Sequence, residues 1–283
     1  MRPRRRAGAA LGTLTLLAFA AGCSAPAPGP SPGVDGAPSR PPDVSQVPDA
    51  VPSAEARSAR GNPPFYEVMG RRYYVKSDAT GYRERGVASW YGTKFHGRET
   101  SSGERYDMYA MTAAHKTLPL PTYVRVTHLG NGRSVVVRVN DRGPFVGDRI
   151  IDLSYAAAVR LGMHNEGTAL VDVEIVEPGT RSSIATVAGT GDAGGNPAPA
   201  HSPSGPTPVW LQVGAFSDAA NAARLRTRLA DHGIDQVVTL SERRRRETIY
   251  RVRIGPLSEV EAVERMLDRV RSLGIADAHL ATD

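Results

Sequence analysis

The sequence predicts two folded domains, a closed β-barrel over residues 65–177 and a ferredoxin-like β-α-β-β-α-β domain over residues 209–283. Proline placement separates them, since eleven of the 22 prolines lie within residues 23–64 and six lie within residues 178–208. Proline-dense segments form neither the hydrogen bonds of a β-sheet nor helices, so both segments are predicted to be long disordered linkers. Short strands with a single helix indicate the barrel, and the order of strands and helices indicates the second domain.

The predicted strands of the first domain are short and end at turn residues. They cover residues 87–91, 123–127, 134–140 and 169–175. Asn131-Gly132 predicts a tight hairpin between the second and third of these strands. A single helix is predicted over Tyr155–Leu161, because Ser154 can cap its start and Gly162 can close its end. This pattern is typical of a closed barrel.

The second domain is predicted to contain four strands and two helices. The strands cover residues 210–216, 235–240, 249–254 and 276–281; the helices cover residues 219–232, capped by Asp218 or Ser217, and 258–272. Alternation places Gln212 on the opposite face of its strand from Leu211, and Arg251 and Arg253 opposite Val252. With both helices on the apolar face, these three polar side chains are predicted to lie on the open face of the sheet.

The N-terminus is predicted to be a secretory leader. Residues 1–22 combine a basic start with an apolar run that is too short to span a bilayer. Residues 20–23 resemble a bacterial lipobox, which implies that the leader is removed and that Cys23 is acylated. Ser24 follows the cysteine, and by resemblance to sorted lipoproteins a residue other than aspartate there favours the outer membrane. The alternative is an ordinary signal peptide with a chance cysteine.

Composition excludes several classes of site. The net charge of +6 does not choose between nucleic acid, an anionic membrane and an acidic polymer. A single cysteine excludes an intrachain disulfide framework and a cysteine-ligated zinc. The histidines lack HExxH-type spacing and no GxSxG motif is present, so we expect no metal, no cofactor and no serine triad. The remaining candidates are acidic side chains in loops at strand ends, namely Glu104, Asp107 and Asp141.

Four motifs carry a family resemblance. They are GVASWYGTKFHGRETSSGERYD, AMTAAHKTLPLP, VRVNDRGPF and RIIDLSYAAAVRLG, in that order. Together they resemble the rare lipoprotein A family, whose core is a six-stranded double-psi β-barrel shared with expansins. The resemblance implies a lytic transglycosylase, which cleaves the β-1,4 bond between N-acetylmuramic acid and N-acetylglucosamine of peptidoglycan without water. The muramic acid 6-hydroxyl attacks its own anomeric carbon and leaves a 1,6-anhydro end.

The resemblance also implies the catalytic residues. Asp141, in the motif DRGP, is expected to be essential, with His115 and Glu104 as further members of the site. An internal nucleophile gains a large proximity advantage, so one acid that later acts as a base suffices where a hydrolase needs two carboxylates. Phe145 offers apolar shielding at this strand end, whereas an ion pair with Arg142 would oppose proton donation. From local chemistry alone, a cap of its turn is the favoured interpretation of Asp141, and it is the resemblance that favours the catalytic role.

The supporting roles follow from the same resemblance. His115 is expected to orient Asp141, bind the sugar or move a proton, and its alternative is a structural histidine. Glu104 is expected to stabilise oxocarbenium-like charge, and its alternative is a solvated loop carboxylate. Substrate stacking is assigned to the aromatic residues Tyr91, Tyr106 and Phe145, whereas Trp90 and Phe95 are assigned to the core. Asp107 and Asp152 are interpreted as structural.

The second domain resembles the SPOR domain through the strands LQVGAF and YRVRIGP. This resemblance implies binding of peptidoglycan strands that lack stem peptides, through Gln212, Arg251 and Arg253. The same element order describes RNA-binding RRM domains, but the paired aromatics that stack bases are missing, so no nucleic acid is expected. The run of arginines at residues 243–246 is interpreted as a solvated turn, with contact to an acidic polymer or phospholipid as the alternative.

The sequence therefore predicts a lipoprotein of the outer membrane that faces the periplasm and is enriched at the division septum. There it is expected to cleave naked glycan strands, with divisome proteins as possible partners. The alternative is a septal peptidoglycan-binding lipoprotein without catalysis, or an expansin-like module that loosens the wall without cutting.

Overall fold

The computed structural model describes residues 35–179, 208–244 and 247–281. The predicted leader, the predicted acylation site Cys23 and most of the second linker lie outside the described residues, as do Arg245 and Arg246 of the arginine run. No helix in the described part of the chain is long and apolar enough to cross a membrane.

A six-stranded barrel forms the first domain, preceded by a hairpin of β1 (Phe65–Val68) and β2 (Arg71–Tyr74). The barrel strands are β3 (Arg83–Tyr91), β4 (Thr112–His115), β5 (Thr122–His128), β6 (Ser134–Asp141), β7 (Ile151–Ser154) and β8 (Thr168–Ile175). Their order is β3-β7-β4-β6-β5-β8, and pairing of β3 with β8 closes the barrel. The pairs β3–β7 and β4–β6 are parallel. The predicted closed barrel is confirmed.

Local chemistry defines the single helix of the barrel domain, α1 (Tyr155–Leu161). The Ser154 side chain accepts a hydrogen bond from the Ala157 amide, and Gly162 adopts φ 79° at the other end. A left-handed conformation at this position favours glycine. Both predicted ends of the helix are confirmed, and the helix starts directly where β7 ends.

The C-terminal domain has the predicted element order. Its elements are β9 (Val209–Phe216), α2 (Ala219–Asp231), β10 (Val237–Arg244), β11 (Glu247–Leu257), α3 (Val260–Ser272) and β12 (His279–Leu280). The strands are antiparallel in the order β10-β11-β9-β12. Asp218, and not Ser217, caps α2 through the Ala220 amide. The last strand is shorter than predicted, because only His279 and Leu280 pair with β9.

The two domains contact each other along β3. Leu280 of β12 pairs with Arg85, so β12 lies between β9 and the barrel. The Val87 side chain belongs to the same buried cluster as the core of the C-terminal domain. Arg271 of α3 forms an ion pair with Asp148 of the barrel domain.

Residues 35–62, here called the strap, contain no helix or strand but run along the barrel. Val44 is only 4% exposed and lies in the barrel core, and the Ala50 amide donates to the Val136 carbonyl. Further on, the Asn62 side chain exchanges hydrogen bonds with the Leu120 backbone. The predicted linker is therefore irregular as expected, but its described part is attached to the barrel at several points.

Candidate active site

Two carboxyl groups lie in one row across the barrel sheet. In register, Ser89 of β3 lies beside Asp152 of β7, which lies beside Ala114 of β4, which lies beside Asp141 of β6. Residues paired in register share a face of the sheet, and two strand spacings put the Cα atoms of the two aspartates about 10 Å apart. The Ser89 hydroxyl donates to Asp152.

Asp141 ends β6 with its carboxylate held in one orientation. Its Oδ1 accepts hydrogen bonds from the Ser101 amide at 2.7 Å, the Ser101 hydroxyl at 2.6 Å and the Arg142 amide at 2.7 Å. No donor contacts Oδ2 within the described residues. One oxygen is thus anchored and the other is available to a ligand.

The Arg142 guanidinium does not pair with Asp141. It donates instead to the carbonyl oxygens of Gly61, His115 and Leu118. Its half-buried charge is satisfied by backbone dipoles of the strap and of the loop after β4. The ion pair that would oppose proton donation is therefore not formed.

Asp152, interpreted from the sequence as structural, lies in the same row as Asp141 and accepts a hydrogen bond from Ser89. Burial raises the pKa of its carboxyl, and this effect exceeds the lowering by the Ser89 hydrogen bond and by the charge of Arg149. A side chain at Gly143, which adopts φ 141°, would approach Asp152 Oδ2, so the turn after Asp141 faces this carboxyl.

Tyr91 and Tyr106 form part of the core. Their rings stack with centroids 4.0 Å apart, and both residues are buried. The Tyr91 hydroxyl has no hydrogen-bond partner of normal geometry, and neither has the neighbouring buried Thr112 hydroxyl. Burial, assisted by Tyr106, Asp141 and Asp152, raises the pKa of Tyr91 well above its ordinary value. Neither ring is open to a sugar; the Tyr91 hydroxyl lies close to both aspartates.

Phe145 lies in a different aromatic group. Its ring centroid is 5.6 Å from that of Tyr73 and 6.1 Å from that of Tyr66, both in the β1–β2 hairpin. Phe145 is half-buried, so part of its face remains available for stacking on a sugar. The hairpin, which the sequence analysis did not assign, thus adds tyrosines beside the turn that follows Asp141.

The His115 ring is buried on the side of β4 opposite to Ala114, because successive residues of a strand face opposite ways. Its Nδ1 accepts from the amides of Thr117 and Leu118 at 3.1 and 3.0 Å, so Nε2 carries the proton and donates to the Tyr82 hydroxyl at 2.8 Å. Burial, with the nearby charge of Arg142, lowers the pKa of His115 to about 3. The imidazole is therefore neutral and held in one tautomer.

The structure links His115 to Asp141 only through the backbone. The imidazole fixes the loop after β4, and the carbonyls of His115 and Leu118 in that loop hold the Arg142 guanidinium beside Asp141. The ring itself lines a cavity of about 260 Å³ between the barrel and the C-terminal domain, which Asp141 does not line. This geometry fits a positioning residue better than a group that moves a proton.

Glu104 lies near Asp141 in a network of charges. Arg138 donates to Glu104 at 2.8 and 2.9 Å and also to Glu55 of the strap at 2.7 Å. Burial raises the pKa of Glu104, but hydrogen bonds from Arg138 and Asn140 outweigh it, and the pKa is lowered overall. Glu104 thus stays ionised at neutral pH, which suits stabilisation of positive charge rather than proton donation.

The three polar residues of the C-terminal sheet lie together. Arg251 donates to the Gln212 side chain and to Glu242, both at 3.2 Å. Gln212 and Arg253 are each only 7% exposed, so the open position predicted for these two is not observed. The Arg251 side chain lies against Gln212, and the His279 ring on β12 approaches the side-chain amide of Gln212. Arg251, half-buried, is the most accessible of the three.

No group of three His, Cys, Asp or Glu side chains that could hold a metal ion occurs within the described ranges. The carboxyl groups of Asp141, Asp152 and Glu104 can support proton transfer and electrostatic stabilisation.

The barrel with its carboxyl row and the attached α/β domain each match a known protein family. A family model described as "Lytic transglycolase" matches residues 83–173, and a SPOR domain model matches residues 205–280. The chain is 42% identical to the endolytic peptidoglycan transglycosylase RlpA of Pseudomonas aeruginosa (strain UCBPP-PA14), over 89% of this chain and 85% of that protein. It is 39% identical to RlpA of Vibrio cholerae serotype O1, over 95% of each. The chain belongs to the RlpA family.

Among solved structures, the RlpA SPOR domain from Pseudomonas aeruginosa is 30% identical. It covers 26% of this chain and 99% of that chain, with a TM-score of 0.25. The family resemblance that the sequence motifs indicated is thus confirmed for both domains by the family models and relatives.

Proposed function

We propose that this protein is an endolytic lytic transglycosylase of peptidoglycan. It cleaves the β-1,4 bond between N-acetylmuramic acid and N-acetylglucosamine and forms 1,6-anhydro ends. Membership of the RlpA family supports this activity. The observation that carries it is the Asp141 carboxylate, which is anchored through Oδ1 and presents Oδ2 on the same face as Asp152.

The reaction needs one proton delivered and one proton removed. Asp141 Oδ2 donates a proton to the glycosidic oxygen as the bond to the anomeric carbon breaks. The same oxygen then takes the proton of the 6-hydroxyl as that hydroxyl bonds to the anomeric carbon, which restores the acid. Glu104, held ionised by Arg138, stabilises the positive charge that develops on the sugar. Asp152 is the second carboxyl of the row, and burial favours its protonated form.

We further propose where the enzyme acts. It is a periplasmic protein associated with the cell wall; Cys23 is acylated and holds it to the outer membrane. The C-terminal domain, through the half-buried Arg251, directs it to glycan strands that lack stem peptides, which places it at the division septum together with divisome proteins. The SPOR family match supports peptidoglycan binding.

The activity is tested with purified protein and amidase-treated sacculi. Wild type is expected to release anhydro-ended fragments, detected by mass spectrometry, and Asp141→Asn to lose them by at least 100-fold, the lower range for a removed acid-base group. Asp107→Asn is the matched control, since this exposed aspartate bonds only within its own loop. Wild-type protein that binds sacculi without forming anhydro ends would overturn the enzyme and leave the peptidoglycan-binding or wall-loosening alternative.

A further inference from the structure

The first two residues of the strap, Asp35 and Gly36, are here called its tip. They accept hydrogen bonds from the three consecutive backbone amides that follow β3. Asp35 Oδ1 accepts from the amides of Gly92 and Lys94, each at 3.1 Å, and Oδ2 also accepts from the Gly92 amide. The amide between them, on Thr93, donates to the Gly36 carbonyl at 3.0 Å. A carboxylate of the chain itself is thus bound in this turn.

The turn at residues 92–94 has the properties of an anion site. The amides of Gly92 and Lys94 converge on one carboxylate oxygen, and such converging amides present a concentrated positive potential to a negatively charged group. The Lys94 side chain adds a formal positive charge to the same turn, with its ammonium 5.7 Å from the Phe95 ring centroid. Glycine is required at position 92, because a Cβ there would collide with the Gly36 carbonyl oxygen.

This anion site adjoins the carboxyl row. Gly92 follows Tyr91 directly and lies three residues beyond Ser89, about 10 Å along the strand. Ser89 is the residue that donates to Asp152. The negative charge of Asp35 raises the pKa of Asp152, so an anion bound in the turn is coupled electrostatically to the row. A glycan long enough to span this distance can contact both the carboxyl row and the turn.

The tip is held separately from the rest of the strap. Residues 37–43 are exposed apart from Pro38, which is half-buried. The next firm attachment is Val44 in the barrel core, followed by the hydrogen bonds of Ala50 and Asn62. The contacts of Asp35 and Gly36 can therefore open while the remainder of the strap stays in place.

We propose that the amides of residues 92–94 bind a carboxylate of the glycan substrate, and that Asp35 is an internal competitor for this site. The proposal rests on the proposed function and names a determinant of its specificity. A stem peptide is joined to the lactyl group of muramic acid by an amide. Removal of the peptide leaves a free lactyl carboxylate, which matches the group that Asp35 presents. Strands that retain stem peptides offer a neutral amide instead and do not displace Asp35.

The test measures binding by the full-length protein in an Asp141→Asn background, so that nothing is cleaved. The probes are peptide-free GlcNAc–MurNAc oligomers with free lactyl carboxylates, and the same oligomers with these carboxylates converted to methylamides. Asp35→Asn is expected to bind the free-carboxylate oligomer about tenfold more tightly, because the competing closed state is weakened. Asp43→Asn is the matched control, since Asp43 lies on the same strap and bonds only to the Ser45 amide.

Amide resonances in NMR spectra locate the effect. The signals of Gly92, Thr93 and Lys94 are expected to shift with the free-carboxylate oligomer and to stay unchanged with the methylamide. Equal affinities of the parent and Asp35→Asn, or equal responses to the two oligomers, would overturn the proposal. Because the readout is binding, failure to detect anhydro products would reject the proposed enzyme activity while leaving this anion site standing.

Discussion

Acidification is expected to destabilise the barrel through His115. The ring is 2% exposed and its pKa is lowered to about 3 in the folded protein, against about 6.5 in the unfolded chain. Between these values the unfolded chain binds a proton that the folded protein does not, so the free energy of unfolding rises with pH at about 1.4 kcal/mol per unit. Going from pH 8 to pH 4.5, this histidine alone removes about 3 kcal/mol of stability.

The measurement is urea unfolding of the full chain at a series of pH values. The chain has two tryptophans, so a Trp210→Phe background leaves Trp90 as the barrel reporter. His115→Gln is expected to lose this share of the pH slope, whereas His96→Gln, whose ring is 44% exposed, is expected to keep it. Identical slopes in His115→Gln and its parent, or His115 ring signals that titrate near pH 6.5 by NMR, would refute the buried neutral imidazole.

Two further predictions concern the strap and the carboxyl row. Val44→Ala is expected to lower the free energy of barrel unfolding by about 2 kcal/mol, because a buried side chain is lost. Val51→Ala is the control, since Val51 is 80% exposed, and it is expected to change this free energy by less than about 0.5 kcal/mol. Equal effects of the two substitutions in the same urea assay would mean that the strap is not packed against the barrel. Ser89→Ala removes a hydrogen bond that lowers the pKa of Asp152, so the pKa of Asp152 rises further. Activity that depends on its protonated form then persists to higher pH, and an unchanged alkaline limb of the pH–rate profile would exclude that dependence.

Elements with strong local signals were predictable from the sequence. Ser154 and Gly162 define α1 by cap chemistry alone, and Asn131-Gly132 defines the β5–β6 hairpin, because each acts within a few residues. The row that joins Ser89 to Asp141 was not predictable in this way. It depends on the register of four strands that are distant in sequence, and no local pattern specifies that register.

The candidate site residues also differ in how far the sequence predicts their positions. The motif DRGP makes Asp141 a candidate from the sequence, whereas the short strand that holds Asp152 leads directly into α1 and favours a structural interpretation. The position of His115 was partly predictable, since alternation from Ala114 already turns its ring to the other face. Attachment of the strap to the barrel was not predictable, because composition indicates only the average tendency of a segment to fold. Most of its contacts are hydrogen bonds and ion pairs, which composition does not reveal.

Arg142 connects two separate segments of the barrel domain through its hydrogen bonds. Its planar fork of donors ties the end of the strap, at Gly61, to the loop after β4, and this junction lies one peptide bond from Asp141. The segment before the barrel is therefore attached through Arg142, directly beside Asp141. A displacement of Gly61 would thus act on the residue next to the proposed acid.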